Sequence, residues 1–168
     1  MKIHTDKTRF SSSITRVLLA GLAGGVAEVL WVMAWSAVTP LQATTVAREV
    51  TRTVFPVMAE TSMAAEIGLI IHLAISLALG VVFVWALGKH LARHYGGAGI
   101  LAGSVTLLAL IWTINFLVVL PVLNPVFVTL MPSAVTLGSK TLFGLAMGAV
   151  LIAGPHTLAK TQKLQAGV

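Results

Sequence analysis

Four long apolar runs, separated by short polar or proline-bearing stretches, dominate this sequence, at about residues 15–39, 64–88, 98–120 and 134–154. Each contains few or no charges and reaches the roughly 20 residues an α-helix needs to cross a hydrocarbon core about 30 Å thick. The pieces left between them are too short for a second domain. The pattern predicts an all-α protein with one transmembrane domain over residues 1–168, an integral membrane four-helix bundle. The first run follows basic residues, as a secretory signal would. Its apolar stretch exceeds the roughly 7–15 residues of a signal core and no small-x-small cleavage site follows, so it reads as a retained first helix.

Between the first two runs the period changes. Val46, Val50 and Val54 recur every four residues, while Thr45, Arg48, Glu49, Arg52 and Thr53 fall elsewhere around the turn. This predicts a short amphipathic helix lying in the membrane interface. Pro40 and Pro56, each unfavourable inside a helix, bracket it. Such a helix can be a plain connector or a lid over a ligand.

Composition agrees with the bilayer assignment: 57% of residues are hydrophobic and 10% charged, where soluble domains carry about a quarter charged. The formal charge of +6 is spread by topology rather than along a groove-reading helix, which argues against a nucleic-acid partner. Lys2, Lys7, Arg9 and Arg16 precede the first run, Lys89 and Arg93 lie between the second and third, and Lys160 and Lys163 follow the fourth. On the other side Arg48 and Arg52 are offset by Glu49, Glu60 and Glu66. The positive-inside rule then predicts both termini in the cytoplasm, N-in/C-in, and places the amphipathic helix in the first outer loop. Cysteine is absent, which excludes disulfides, thiolate metal sites and thiol catalysis.

Small residues four apart occur in every run: Gly21 and Gly25, Ser76 and Gly80, Gly99 and Gly103, Gly144 and Gly148. Such pairs let helix backbones approach closely, and these predict a packed seam in the cytoplasmic half. The polar residues Glu28, His72, Asn115 and Lys140 lie instead between the middle and the outer third of their runs. Charge at that depth costs several kcal/mol by insertion scales, on the order of 3 for one residue, so these groups should face each other or water. Glu28 and Lys140, the only formal charges well inside the runs, are expected to pair, with His72 and Asn115 bonded around them. The cluster reads either as polar glue that fixes helix order or as an outward-facing pocket. A weak parallel repeat is also visible: Trp31 and Pro40 align with Trp112 and Pro121, and a second offset sets His72 opposite Lys140.

Other chemistry is sparse. His90 and His94 could share a helix face, but Lys89 and Arg93 beside them disfavour a cation. Met58 and Met63 are two thioethers without a supporting thiolate or imidazole, a poor copper site. With no second histidine inside a run, bis-histidine haem ligation has no partner for His72. Trp31, Trp35, Trp85 and Trp112 fall near run ends, where interfacial anchoring explains them. No phosphate loop, zinc-protease helix or nucleophile elbow is present, so the expectation is a non-enzymatic protein without metal or cofactor.

Three stretches together resemble YagU-like proteins, small four-helix bacterial inner-membrane proteins: His72-Leu-Ala-Ile-Ser76 with Gly80, the Gly99 to Gly103 helix start, and Phe143-Gly144 following Lys140. The resemblance covers about residues 68–150 and implies a bacterial inner-membrane location without implying an activity. Where that pattern often has a histidine before the Phe/Gly step, this chain has Lys140. With little mass outside the bilayer and small-residue seams within it, the leading expectation is an accessory subunit or a homo-oligomer within a larger membrane complex. The rival is a small transporter or channel subunit for a proton, ion or small solute, working through Glu28, His72, Asn115 and Lys140.

Overall fold

The computed structural model describes residues 13–153. Lys2, Lys7, Arg9, Lys160 and Lys163, which carry part of the orientation argument, lie outside the described residues. Those residues form helices and turns without a strand. Helix α1 covers Ile14–Ala37, α2 covers Ala43–Val54, and a 3-10 turn follows at Pro56–Glu60. A helical run from Ala64 to Leu123 comes next, made of α3 (Ala64–Phe83), a π turn (Val84–Gly88), α4 (Lys89–Ile114), a second π turn (Asn115–Val119) and α5 (Leu120–Leu123). Short α6 (Pro125–Thr129) and then α7 (Ser133–Ile152) complete the order. Three helical segments, α1, the 60-residue run and α7, are long and apolar enough to cross a membrane.

The sequence places a connection at about residues 89–97. The structure has helix there instead, on both sides of Gly96, and the chain reverses on that one residue. Gly96 has φ 60° and ψ −148°, the only positive φ among the described residues. L-residues scarcely occupy that region, and a Cβ at Gly96 would meet nothing within 4 Å, so backbone conformation rather than space demands glycine. The reversal shows in the neighbours. A Cβ on Gly99 would lie 3.3 Å from the Leu91 carbonyl oxygen, and one on Gly103 would collide with Leu91 Cδ1. In a straight helix those pairs would be separated by about 12 and 18 Å.

Packing runs in the order α3, α1, α7, α4: α1 lies against both α3 and α7, and α7 against α4. Helix α3 does not pack closely against the part of α4 beyond Gly96. Two of the contacts are backbone approaches through small residues. Gly21 meets the Ser76 carbonyl, Gly25 faces Ser76 Oγ, and Gly80 lies under the Val17 carbonyl, joining α1 to α3. Gly144 lies against Val105 Cα, and Gly148 against Ser104 Oγ, joining α7 to α4. Ser104 Oγ in turn donates to the Gly144 carbonyl at 2.7 Å. Gly99 and Gly103 have a different use: they receive Tyr95 and Leu91 from the other arm of the Gly96 hairpin. Phe143 packs on Gly24 between α7 and α1, within a dry core of Val17, Ala20, Phe83, Ile100, Leu108, Met147 and Leu151.

Helix α2, expected as an amphipathic helix, is helical over Ala43–Val54. It packs on α3, where Gly68 admits the Ala47 carbonyl, and Thr51 Oγ1 donates to the Ala64 carbonyl. Along its valine stripe Val46 is buried, Val50 half-buried and Val54 exposed. Arg52 stays on the exposed side, bonded to Glu60 at 2.8 Å and Glu49 at 3.1 Å; these two bonds hold its guanidinium above its ordinary pKa.

Candidate functional site

Beyond the glycine contacts the helices diverge around a central cavity of about 280 Å³. Leu79 and Leu108 lie on its walls toward the hairpin end, while Val46, Val50 and Val54 of α2, with Phe127 and Met131, line it at the other end. Spacing explains the α3 wall: Gly68, His72, Ile75 and Leu79 recur at three- and four-residue steps along one face, as do Leu108, Ile111 and Asn115 on α4 and its continuation.

All four polar residues singled out in the apolar runs line this one cavity. Lys140 Nζ on α7 donates to Glu28 Oε1 on α1, forming an ion pair. Ser139 Oγ lies 3.2 Å from the same Glu28 oxygen and 2.7 Å from the Thr136 carbonyl, which share its single proton. Glu28 Oε2 is buried and receives no protein donor among the described residues. His72 Nε2 lies 3.2 Å from the Gly25 carbonyl. A carbonyl only accepts, so Nε2 carries the proton and donates, leaving Nδ1 as an acceptor in the neutral ring. His72 is thus tied to α1 backbone rather than to the ion pair.

Asn115 reaches the wall through the π turn that it opens. Pro121 lacks the N–H of a continuing helix and its ring crowds the preceding turn, and the ladder widens just before it, with the Leu120 N–H donating to the Asn115 carbonyl. The helix therefore continues past the expected end at residue 120 to Leu123.

Two tryptophans fix the wall opposite α3. Trp31 Nε1 donates to the Val135 carbonyl and Trp112 Nε1 to Thr136 Oγ1, both at 2.9 Å. The residues aligned by the repeat thus converge on one turn of α7. Both indoles are half-buried and bonded within the protein, where the sequence suggested interfacial anchors.

Sequence reasoning missed the cluster at the far end. Asn124 is buried, and its Nδ2 donates to Glu49 Oε2 at 3.0 Å, with Thr53 Oγ1 at 3.2 Å. Its Oδ1 accepts from the Phe127 N–H and caps α6, with Pro125 in the first helical position. The Asn-Pro step is the one signal that could have marked it. At the opposite end of the molecule His90 and His94 pack ring to ring, centroids 4.5 Å apart, with Lys89 and Arg93 exposed beside them. Among the described residues no group of three His, Asp or Glu side chains could hold a metal ion.

The site is a partly open apolar cavity with a neutralised charge pair, an imidazole and an amide on its wall. Such a place binds small molecules by shape and a few fixed polar contacts. No family model, curated protein or solved structure matches this chain.

Proposed function

We propose that this chain is a four-pass membrane protein whose central cavity binds a small solute, as the binding unit of a small transporter or channel. The arms on either side of Gly96 count as two passes in this reading. Lys89 and Arg93 beside the hairpin support a cytoplasmic position for that end and for both termini, with α2 outside. The resemblance to YagU-like proteins supports a bacterial inner membrane as its location.

One observation carries the reading: Glu28, His72, Asn115 and Lys140 come from four separate segments and meet on the wall of a single cavity. Polar side chains that served only to hold helices together would be enclosed between pairs of helices. The accessory-subunit or homo-oligomer reading leaned on small-residue pairs free to bind a partner. Within this chain those pairs are occupied, by α1 against α3, by α7 against α4 and by the hairpin arms.

Because the sequence has no cysteine, single cysteines can be placed without background. Ile111→Cys puts a thiol on the cavity wall. Membrane-permeant N-ethylmaleimide should modify it in the folded protein. Reaction only after denaturation would mean that the cavity is closed to small molecules, and the reading would fall. For orientation, Ser62→Cys should label from outside with an impermeant maleimide, and His90→Cys only after permeabilisation; the reverse order would invert the topology.

A further inference from the structure

We infer that the solute is a neutral amphiphile with a hydroxyl-bearing head group, taken sideways from the bilayer past α3. The inference rests on the reading of the cavity as a binding site and names the class of molecule it takes. Four residues of the cavity wall are exposed: Met33 (54%), Val54 (45%), Leu69 (40%) and Ile75 (49%). All four are apolar, and every polar residue of the wall is buried or half-buried. A mouth for water-borne solutes would carry polar groups at its rim; this one presents hydrocarbon. Leu69 and Ile75 belong to α3, which is also the helix that does not pack closely on the arm beyond Gly96.

The ends are shut. Helix α2 covers the outer end, held to α3 by Thr51 on the Ala64 carbonyl and to the α5–α6 junction by Asn124 on Glu49. At the other end Leu108 and Phe143 are fully buried among the dry core. What remains is lateral access at the depth of the apolar segments.

The polar groups select the head. Glu28 and Lys140 cancel each other, and a charged ligand arriving from hydrocarbon would find no free counter-charge. Glu28 Oε2 and His72 Nδ1 want a donor, while the remaining Lys140 N–H groups and the Asn115 amide offer donors. A hydroxyl both gives and accepts, so it can satisfy both sets; an ester or ether can only accept. A cavity of about 280 Å³ sits at the lower end of small-molecule sites, enough for a head group and the start of a chain whose remainder lies in the mouth beside Ile75.

The test uses the full-length Ile111→Cys protein in phosphatidylcholine nanodiscs, with the rate of N-ethylmaleimide labelling as readout. Added 1-oleoylglycerol should slow labelling at least tenfold and saturably. Methyl oleate, which lacks the hydroxyl, oleate, which is charged, and glycerol, which lacks the chain, should each change the rate less than twofold. Protection by 1-oleoylglycerol should drop below twofold when Glu28→Gln and Lys140→Met are combined. Equal protection by methyl oleate overturns the hydroxyl assignment, equal protection by oleate the neutrality, and protection by glycerol the lateral route. A thiol that reacts but that none of these protects overturns the inference and leaves the solute-binding reading standing; a thiol that does not react removes both. Leu79→Cys, on the opposite wall, repeats the experiment if Ile111→Cys does not fold.

Discussion

The half of the molecule near Gly96 and the half near α2 solve the same problem, holding together apolar helices long enough to cross a membrane, by opposite means. Near the hairpin, backbones touch: Gly144 sits against Val105 Cα and Gly80 under the Val17 carbonyl, with Phe143 filling the hollow at Gly24. Lipid chains are as apolar as leucine, so close dispersion contact is what favours helix over lipid there. Toward α2, backbones touch only between α2 and α3, at Gly68 on the Ala47 carbonyl, while large side chains hold α1, α7 and the arm beyond Gly96 apart. Trp31, Trp112 and Lys140 reach across with single directional bonds, and the space between them stays open. Contact through glycine leaves no room for a ligand; contact through long polar side chains does. A cavity at one end and a solid seam at the other are consequences of where the glycines joining α1 to α3 and α7 to α4 stop.

The sharpest way to break this contrast is at the ion pair. Lys140→Met leaves the buried Glu28 carboxylate without its partner and should destabilise the purified protein by about 3–5 kcal/mol in denaturant unfolding. Adding Glu28→Gln should restore most of that. If the single and double variants unfold alike, the polar half does not depend on the pair. Next in size is the seam. Gly144→Val drives methyls into the Val105 backbone and should cost about 1–3 kcal/mol. Gly138→Ala in the polar half meets Trp31 Cζ2 at an ordinary 3.4 Å and should be tolerated within about 0.5 kcal/mol. Equal costs at these two glycines would erase the distinction between the halves.

More local is Asn124→Ala, which removes the donor onto buried Glu49 at a similar cost of about 1–3 kcal/mol. Amide exchange should quicken across Ala43–Val54 and stay unchanged in Ser133–Ile152 near Gly148; a global acceleration would mean that α2 is part of the packed core rather than a cover. A small gain rather than a loss is expected for Gly97→Ala, whose Cβ meets only Ile152, with Cγ2 at 3.5 Å, and which should raise stability by up to about 1 kcal/mol through helix propensity. A loss there would show that the hairpin tolerates side chains no better beside Gly96 than at it.

Much of this was legible because it rests on one-dimensional signals. Hydropathy marks the apolar segments, and charge and depth single out Glu28 and Lys140, since no other formal charge lies well inside them. What escaped depends on orientation and backbone geometry. The period of Val46, Val50 and Val54 reveals an apolar face but not what it faces, and here it faces the cavity. Glycine at 96 reads like the glycine beside it; only φ separates a reversal from a helical turn. Trp31 and Trp112 carry the same side chain whether they anchor in a headgroup layer or donate to α7. Asn124 and Glu49 are 75 positions apart, and nothing local couples them.

The π turn at Asn115 has a consequence in the language of insertions. A π turn holds one residue more than an α turn closed over the same rise, so Asn115–Val119 is geometrically an α-helix with one residue inserted. Deleting a single residue from it would restore a regular ladder and rotate everything on one side by about 100° relative to the other. Asn115 would leave the cavity wall, or Leu120 its buried seat. A lineage that lost that one codon would keep its hydropathy profile nearly unaltered and lose either its amide from the site or the packing of Leu120, a change that inspection of composition would scarcely register.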